Sequence, residues 1–357
     1  MTPSAGPATN LFGLDRTQLE TLVLERGEPA YRAGQLYTWL YQKHARSIEA
    51  MTNLSKDLRQ RLAAEFEVRW PDIVERRSGA DGTVKTLFMV AGARFESVLI
   101  PDDGRRTICL STQAGCALGC TFCLTGVGGF ARNLDVWEIL GQVVTLRAAA
   151  PAAPEPWNLV VMGMGEPLLN CDHTLGALRT LLDPQGFGFP PRRVTLSTVG
   201  ILPGLERLGR EVRRPRLAIS LHAPNTELRR KLMPVEVKYP LEDVVAAARR
   251  YRGPGDGPVT YEYVLLRGVN DQERHARELA RLLAREHCKV NLIPLNAAPA
   301  LPFEPPAVAS VEAFCRILAA ARITVSVRRP RGQDIQAACG QLSMTREPRP
   351  APVAATP

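Results

Sequence analysis

From Thr107 onward, short apolar runs of strand character alternate with segments of helical period, and that rhythm confines the chain to a parallel α/β architecture. The strand candidates are residues 107–111, 158–162, 193–197, 216–220, 260–265, 289–293 and 323–327. Helical segments follow most of them. In 134–146, Val136, Ile139, Leu140 and Val143 keep one face apolar, and 272–285 has the same period. Six or so βα units joined by right-handed crossovers predict a partial (βα)6-type barrel, with an open doubly wound sheet as the alternative. Short polar signatures stand just beyond the strands: GMGEP at Gly163 to Pro167, STVG at Ser197 to Gly200, SLHAPN at Ser220 to Asn225, and LN at Leu295 and Asn296. In parallel α/β folds the ligand meets the chain at these C-terminal strand ends.

The rest of the 357 residues frames that body. Residues 11–75 read as a small helical domain, with Leu36, Trp39 and Leu40 on one face and Leu58, Leu62 and Phe66 on another. An Asp81-Gly82 turn then introduces alternating stretches at 83–90 and 95–100, so 76–106 is expected to be a β-hairpin linker region. The barrel and a C-terminal loop fill 107–344, while residues 1–10 and 345–357, rich in Pro, Ala and Ser, are expected to be flexible. No run of about 18 apolar residues occurs, and the N-terminus has neither a basic nor an apolar export region, so a soluble cytoplasmic protein is expected. Lys and Arg outnumber Asp and Glu by 45 to 36, mostly through arginine. That excess suits a polyanion such as RNA, and equally an arginine-biased genome.

Eight cysteines in a chain with no export signal should be mostly reduced, so clustering points to metal or redox chemistry. Cys116, Cys120 and Cys123 form a C-x3-C-x2-C array just after the first strand of the repeat. Three thiolates so close together can hold three irons of a [4Fe-4S] cluster and leave the fourth open. An open iron can chelate the amino and carboxylate groups of S-adenosylmethionine and, once reduced, cleave it to a 5′-deoxyadenosyl radical. Structural zinc is the competing reading, but it calls for a fourth closing ligand from a second knuckle, and no second C-x-x-C or H-x-H pair occurs in the sequence.

The array matches the radical S-adenosylmethionine superfamily, and its surroundings narrow the match. STQAGCALGCTFCLTG, GGFARNL, VVMGMGEPLLN, RRVTLSTVG, AISLHAPN, YEYVLLRGVND, NLIPLN and RGQDIQAACGQL, in that order, closely resemble the RlmN family of dual-specificity 23S rRNA and tRNA adenine carbon-2 methyltransferases. The likeness runs from about residue 15 to 343. It implies a radical SAM barrel, one [4Fe-4S] cluster on Cys116, Cys120 and Cys123, and S-adenosylmethionine held by Gly165, Glu166, Ser197, Ser220, Leu221, His222 and Asn296. Taken alone, His222 reads more readily as a hydrogen-bonded structural histidine. The glycines at 163 and 165 are expected to let the backbone approach a ligand, and Glu166 to receive its ammonium.

Carbon 2 of adenine lies between two ring nitrogens and is electron-poor, so it does not attack a methyl sulfonium as a nucleophile. The resemblance implies a route around this that uses two S-adenosylmethionine molecules per turnover. Cys339 first accepts a methyl on sulfur; hydrogen abstraction from that methyl gives a carbon radical that adds to the base, joining enzyme to RNA. Glu96 is then the proton acceptor, and Cys109 the thiol that attacks Cys339, releasing the methylated base and leaving a Cys109–Cys339 disulfide to be reduced. Read without the family, a Cys in an apolar strand is small buried filler. Glu96 shares a strand face with Val98 and Ile100, so it is either at a wet edge or a carboxylate among apolar groups with a raised pKa. Cys171, Cys288 and Cys315 match no functional motif and are expected to be structural.

Candidates for RNA contact are Phe130, Arg132, Arg328, Arg329 and Arg331, together with the helical domain, which resembles the family's accessory RNA-binding module or else simply caps the barrel. The expected partners are 23S rRNA, tRNA and a flavodoxin- or ferredoxin-like electron donor, with no membrane, and the chain is expected to be a monomer. Two departures from the family pattern occur: Leu295 replaces an aromatic residue, and LTGVGG follows the array where STGKQG is commoner. The rival readings are a sister Cfr-like carbon-8 methyltransferase and a non-catalytic iron-sulfur protein that binds RNA.

Overall fold

A computed structural model describes residues 9–102, 104–150, 156–253, 255–298 and 300–343. The expectations for residues 1–8 and 344–357 lie outside this range. Thr9 and Asn10, expected to belong to a flexible end, instead form strand β1 (Thr9–Asn10) beside β2 (Phe66–Glu67). The Asn10 side chain fixes them: its amide donates to Arg69 O at 3.0 Å, and its oxygen accepts the Phe12 and Arg69 amides.

Between β1 and β2 lie α1 (Arg16–Leu24), α2 (Tyr31–Tyr41) and α3 (Lys56–Glu65). Asp15 and Gln18 form a reciprocal capping box that starts α1, each side chain accepting the other's backbone N–H at 2.8 Å. Ser55 caps α3 by accepting the Leu58 amide. Leu19, Leu36, Leu40, Leu58 and Leu62 are buried where these helices meet.

The next strands are β3 (Asp72–Ser78), β4 (Val84–Val90), β5 (Ala93–Asp102) and β6 (Arg105–Cys109), successively antiparallel. The expected hairpin linker is therefore part of the main sheet, and its first strand begins inside the span expected to be helical. A free hairpin would leave its outer backbone groups without partners, and hydrogen bonding β5 to β6 provides them.

The chain then makes the small pair β7 (Gln113–Gly115) and β8 (Phe130–Asn133), with the cysteine loop and the short helix α4 (Leu124–Val127) between them. The repeat follows: α5 (Val136–Ala148), β9 (Trp157–Val161), α6 (Cys171–Leu182), β10 (Val194–Thr198), α7 (Leu202–Gly209), β11 (Arg216–Ser220), α8 (Thr226–Leu232), α9 (Leu241–Tyr251), β12 (Val259–Leu265), α10 (Glu273–Leu282), β13 (Cys288–Pro294), α11 (Val308–Ala320) and β14 (Thr324–Val327).

One ten-stranded sheet results, in the order β14-β13-β12-β11-β10-β9-β6-β5-β4-β3. Within this sheet β6 and β9 to β14 lie parallel, each to the next, and follow chain order without reversal. A doubly wound sheet would reverse at a switch point, so this is the singly wound partial barrel, and its seven parallel strands match the seven strand candidates. Its edges, β14 and β3, are not hydrogen-bonded to each other. The segment after β14 spans the gap instead. Gly332 donates to Asp81 Oδ2 at 2.9 Å, and Ala80 donates to Asp334 Oδ2 at 2.8 Å, tying residues 328–343 to the β3–β4 turn.

Candidate active site

The C-terminal ends of the parallel strands open into a cleft of about 1000 Å³. Cys116, Cys120 and Cys123 all line it. Their loop is fixed at several points: Cys116 N–H donates to Gly129 O, Thr121 N–H to Leu232 O, and Leu124 N–H to Gly340 O. Gly119 takes a left-handed φ of 64°, and a Cβ at Gly126 would meet the Cys120 amide at 3.0 Å, so both glycines are required for the tight wrap. Phe122, inside the array, packs edge-on against the His222 ring with centroids 4.9 Å apart.

These residues fit an iron-sulfur cluster. The Glu166 N–H and the Thr125 hydroxyl donate to Gln113 Oε1 and Leu342 O, but the backbone N–H of Leu118 points at the Cys116 sulfur and those of Gly126 and Thr125 at that of Cys123. Such donors favour thiolates. Burial works the other way, pushing Cys116 up to about 11, with the neighbouring Cys123 adding to it. A bound cationic cluster supplies the charge that deprotonates them. The three thiols share one cavity, and among the described residues no three His, Cys, Asp or Glu side chains converge as ligands of a single metal ion.

Facing the cysteines are most of the residues expected to hold S-adenosylmethionine. Gly165, Glu166, Ser197, Ser220, His222 and Asn296 line the cleft, whereas Leu221 does not, its side chain being buried behind the strand end. Ser197 and Ser220 stand side by side at the ends of β10 and β11, their hydroxyls 3.2 Å apart.

Two expectations about GMGEP change. A Cβ at Gly163 would strike Ser111 Oγ at 2.5 Å, and one at Gly165, where φ is 98°, would strike the Gln113 side chain at 2.5 Å. The glycines are therefore required by packing against the segment that leads from β6 into β7, with no ligand needed to explain them. Glu166 is already engaged, accepting Thr198 Oγ1 at 2.7 Å, the Val199 amide at 2.9 Å and the Leu168 amide at 3.0 Å. A carboxylate has about four lone-pair sites, so roughly one remains for a ligand's ammonium. Burial lifts its pKa to about 7 against the pull of those three bonds.

His222 has a left-handed φ of 58°, a strained conformation for a residue with a Cβ. It is held there by its surroundings. Val264 N–H donates to its Nδ1 at 3.0 Å, and the buried Asn270 amide donates to its carbonyl at 2.9 Å. Burial, with Arg229 nearby, lowers its pKa to about 3, so the ring is neutral.

The other two thiols meet next door. Cys109 ends β6, Cys339 lies on the loop after β14, and both line a second hollow that also touches Cys123. Arg328 lines this hollow and the main cleft, and its charge opposes the rise to about 12 that burial, reinforced by Cys339, imposes on Cys109. Glu96 is buried, which removes the wet-edge alternative. Its Oε1 is 3.1 Å from Lys85 Nζ and its Oε2 accepts the Ser343 amide at 3.0 Å. Burial raises its pKa, and Lys85 acts most strongly against that.

Two family models match the chain: the ribosomal RNA large subunit methyltransferase N-terminal domain over residues 9–68, and the radical SAM superfamily over residues 110–280. A dual-specificity RNA methyltransferase RlmN of Nitratidesulfovibrio vulgaris is 49% identical over 326 residues, covering 88% of this chain and 89% of its own. The chain belongs to the RlmN family. A probable dual-specificity RNA methyltransferase RlmN of Gemmatimonas aurantiaca is also 49% identical, over 92% of this chain and 91% of its own. The crystal structure of a radical SAM methyltransferase from Sphaerobacter thermophilus, 44% identical, superposes with a TM-score of 0.88 over 94% of this chain and 100% of that one. The fold is thus the radical SAM fold, and RlmN membership implies S-adenosylmethionine and an iron-sulfur cluster.

Within this RlmN frame several residues gain roles that the sequence did not reveal. Asn270, in a motif that carried no assigned task, holds His222. Arg229 is fully buried in an ion pair with Glu236 and donates to Val199 O at 2.7 Å, bracing the loop that receives Glu166. Glu262 on β12 is a buried carboxylate lining the cleft, bonded to Asn291 at 2.7 Å. Lys85 was detectable as a lone cation within the apolar run VKTLFMV. Of the RNA candidates, Arg132 is committed to a bidentate pair with Glu138 at 2.6 and 2.7 Å. Arg331 lies 3.5 Å from Asp102, and Phe130 and Arg329 are exposed. Cys171, Cys288 and Cys315 are half-buried and line neither hollow.

Proposed function

We propose that the protein methylates carbon 2 of an adenosine in 23S rRNA, at the peptidyl transferase centre, and of the adenosine 3′ of the anticodon in tRNA. The observation that carries this reading is that Cys109 and Cys339 line one hollow, beside the cluster thiol Cys123 and next to a loop held by Glu96. Cys116, Cys120 and Cys123 would hold a [4Fe-4S] cluster, which, reduced by a flavodoxin- or ferredoxin-like donor, would supply a 5′-deoxyadenosyl radical from bound S-adenosylmethionine.

The chain's own residues do the rest. Cys339 sulfur accepts the methyl from a first S-adenosylmethionine and presents it as S-methylcysteine, so the methyl carbon reaches the base while attached to protein. A second S-adenosylmethionine is used to activate that methyl. In the resulting enzyme–RNA adduct radical Glu96 takes the carbon-2 proton, and the unpaired electron would pass back to the oxidised cluster. Cys109 thiolate then attacks Cys339 sulfur, forming the S–S bond as the C–S bond to the base's new methylene carbon breaks; that carbon takes up a proton to become the methyl group, and an external thiol reductant restores both thiols. Gly165, Glu166, Ser197, Ser220, His222 and Asn296 hold the S-adenosylmethionine, with Leu221 contributing backbone alone. The enzyme works as a cytoplasmic monomer.

The test is anaerobic incubation of reconstituted enzyme with S-adenosylmethionine, reductant and RNA lacking the modification, followed by mass spectrometry of nucleosides. We expect 2-methyladenosine from both RNAs, and none from Cys339→Ala with its cluster intact. Appearance of 8-methyladenosine would move the protein to the Cfr-like activity. No methylated adenosine from enzyme with a full cluster would leave only iron-sulfur RNA binding.

A further inference from the structure

We propose that Lys85 and Glu96 form a clamp that grips the Cys339 loop on both sides, with Lys85 acting as the positioning residue for Glu96. The inference rests on the functional reading above for its chemical consequence, and on geometry alone for the clamp. Lys85 and Glu96 sit on adjacent antiparallel strands: Leu87 pairs with Glu96 and Lys85 with Val98, so the two are diagonal neighbours on one face. Val98 also pairs with Cys109 on β6, which places the resolving thiol on the same face.

From this platform two contacts reach the loop. Lys85 Nζ donates to Gln336 O at 3.2 Å, and Glu96 Oε2 accepts Ser343 N–H at 3.0 Å. Gln336 precedes Cys339 and Ser343 follows it, so the methyl-bearing residue lies between the two grips. Gln336 has a left-handed φ of 51°, a conformation that a residue with a Cβ keeps only when its surroundings hold it. Lys85 holds its carbonyl, and the 3.1 Å contact to Glu96 Oε1 joins the grips into one unit.

This arrangement ties the state of the base to the freedom of the loop. Both of Glu96's contacts are charge-assisted while the carboxylate is ionised, and both weaken when it takes a proton. Proton removal from the adduct thus loosens the grip at the stage when Cys109 must reach Cys339. The charged groups acting on Glu96 are Lys85 on β4 and Arg77 on β3; the Ser343 amide, Ser111 and Met164 also contact it and are neutral.

The experiment uses the full chain with its cluster and compares wild type with Lys85→Met, Lys85→Arg and Glu96→Gln. Hydrogen exchange needs neither RNA nor S-adenosylmethionine. Loss of the charged contact should speed exchange at Ser343 about tenfold in Lys85→Met, with β10 unchanged and Lys85→Arg close to wild type. Should Lys85→Met fail to fold, the isosteric Glu96→Gln gives the same reading. Unchanged exchange at Ser343 in whichever variant folds overturns the clamp.

The second reading is the pH dependence of adduct resolution. Removing the ammonium makes Glu96 harder to ionise, so the acid limb should move to higher pH in Lys85→Met and return in Lys85→Arg. A limb that does not move overturns the positioning role. If wild type makes no methyladenosine, the functional reading fails while the exchange measurement still decides the clamp.

Discussion

The parallel half of the sheet, β6 and β9 to β14, and the antiparallel wing, β3 to β5, build the same site by opposite means. In the parallel half each functional group lies at or a few residues beyond the end of its own strand, as Glu166 follows β9, Ser197 is next to last in β10 and His222 follows β11. In the wing the partners come from far apart in the chain: Lys85 and Glu96 meet Gln336 and Ser343, and Asp81 meets Gly332. The first arrangement is rigid because backbone hydrogen bonds set it. The second depends on a few side chains, so it suits a part that must change during turnover.

The largest effect expected along this divide is at Cys109, on the strand where the halves join. Cys109→Ala should let the enzyme–RNA adduct form and then trap it, lowering turnover by about three orders of magnitude. A protein–RNA band that survives denaturing electrophoresis would show the trap. Methyladenosine released at the wild-type rate would remove Cys109 from the chemistry.

Arg229→Met probes the rigid half. It strands the Glu236 carboxylate, which also accepts the Leu241 amide at 3.0 Å, inside the protein. Urea unfolding should show a loss of about 3–5 kcal/mol, with Arg229→Met/Glu236→Leu recovering most of it. A double variant as unstable as the single one would mean that Arg229 contributes through its bond to Val199 O more than through its charge.

The smallest effect is expected in the wing. Asp334 is exposed, and Asp334→Ala removes the acceptor of the Ala80 amide, so calorimetry should show a loss of about 1 kcal/mol or less. A loss as large as that at Arg229 would show that the two halves are equally rigid, and would end the contrast drawn here.

The same divide separates what could be read from the sequence from what could not. The repeat announced the parallel strands to within a residue or two, because buried parallel strands are continuous apolar runs between helical periods. The cysteine array and the strand-end motifs were legible because their residues are neighbours in the chain. Glu96 drew attention only through a motif, and its environment was undecided until β4 brought Lys85 beside it. The wing was taken for a linker because alternation identifies strands without saying what they pair with. Gly163 and Gly165, read as making room for a ligand, do line the cleft, but the sequence could not show that Ser111 and Gln113 from another segment also exclude a Cβ there. Arg132 looked available for phosphate until Glu138, in the first turn of α5, claimed it.

The open edge of the sheet has a mechanical consequence. Around the rest of the barrel wall each strand is sewn to the next by main-chain hydrogen bonds, but between β14 and β3 the perimeter is closed by a seam of single ties. A wall strained from within yields first along its seam, and Cys339 is carried on the segment that forms it. Widening the mouth and shifting the Cys339 sulfur are therefore one displacement, so a bulky guest pressing into the cleft acts directly on the sulfur that we propose reacts with it.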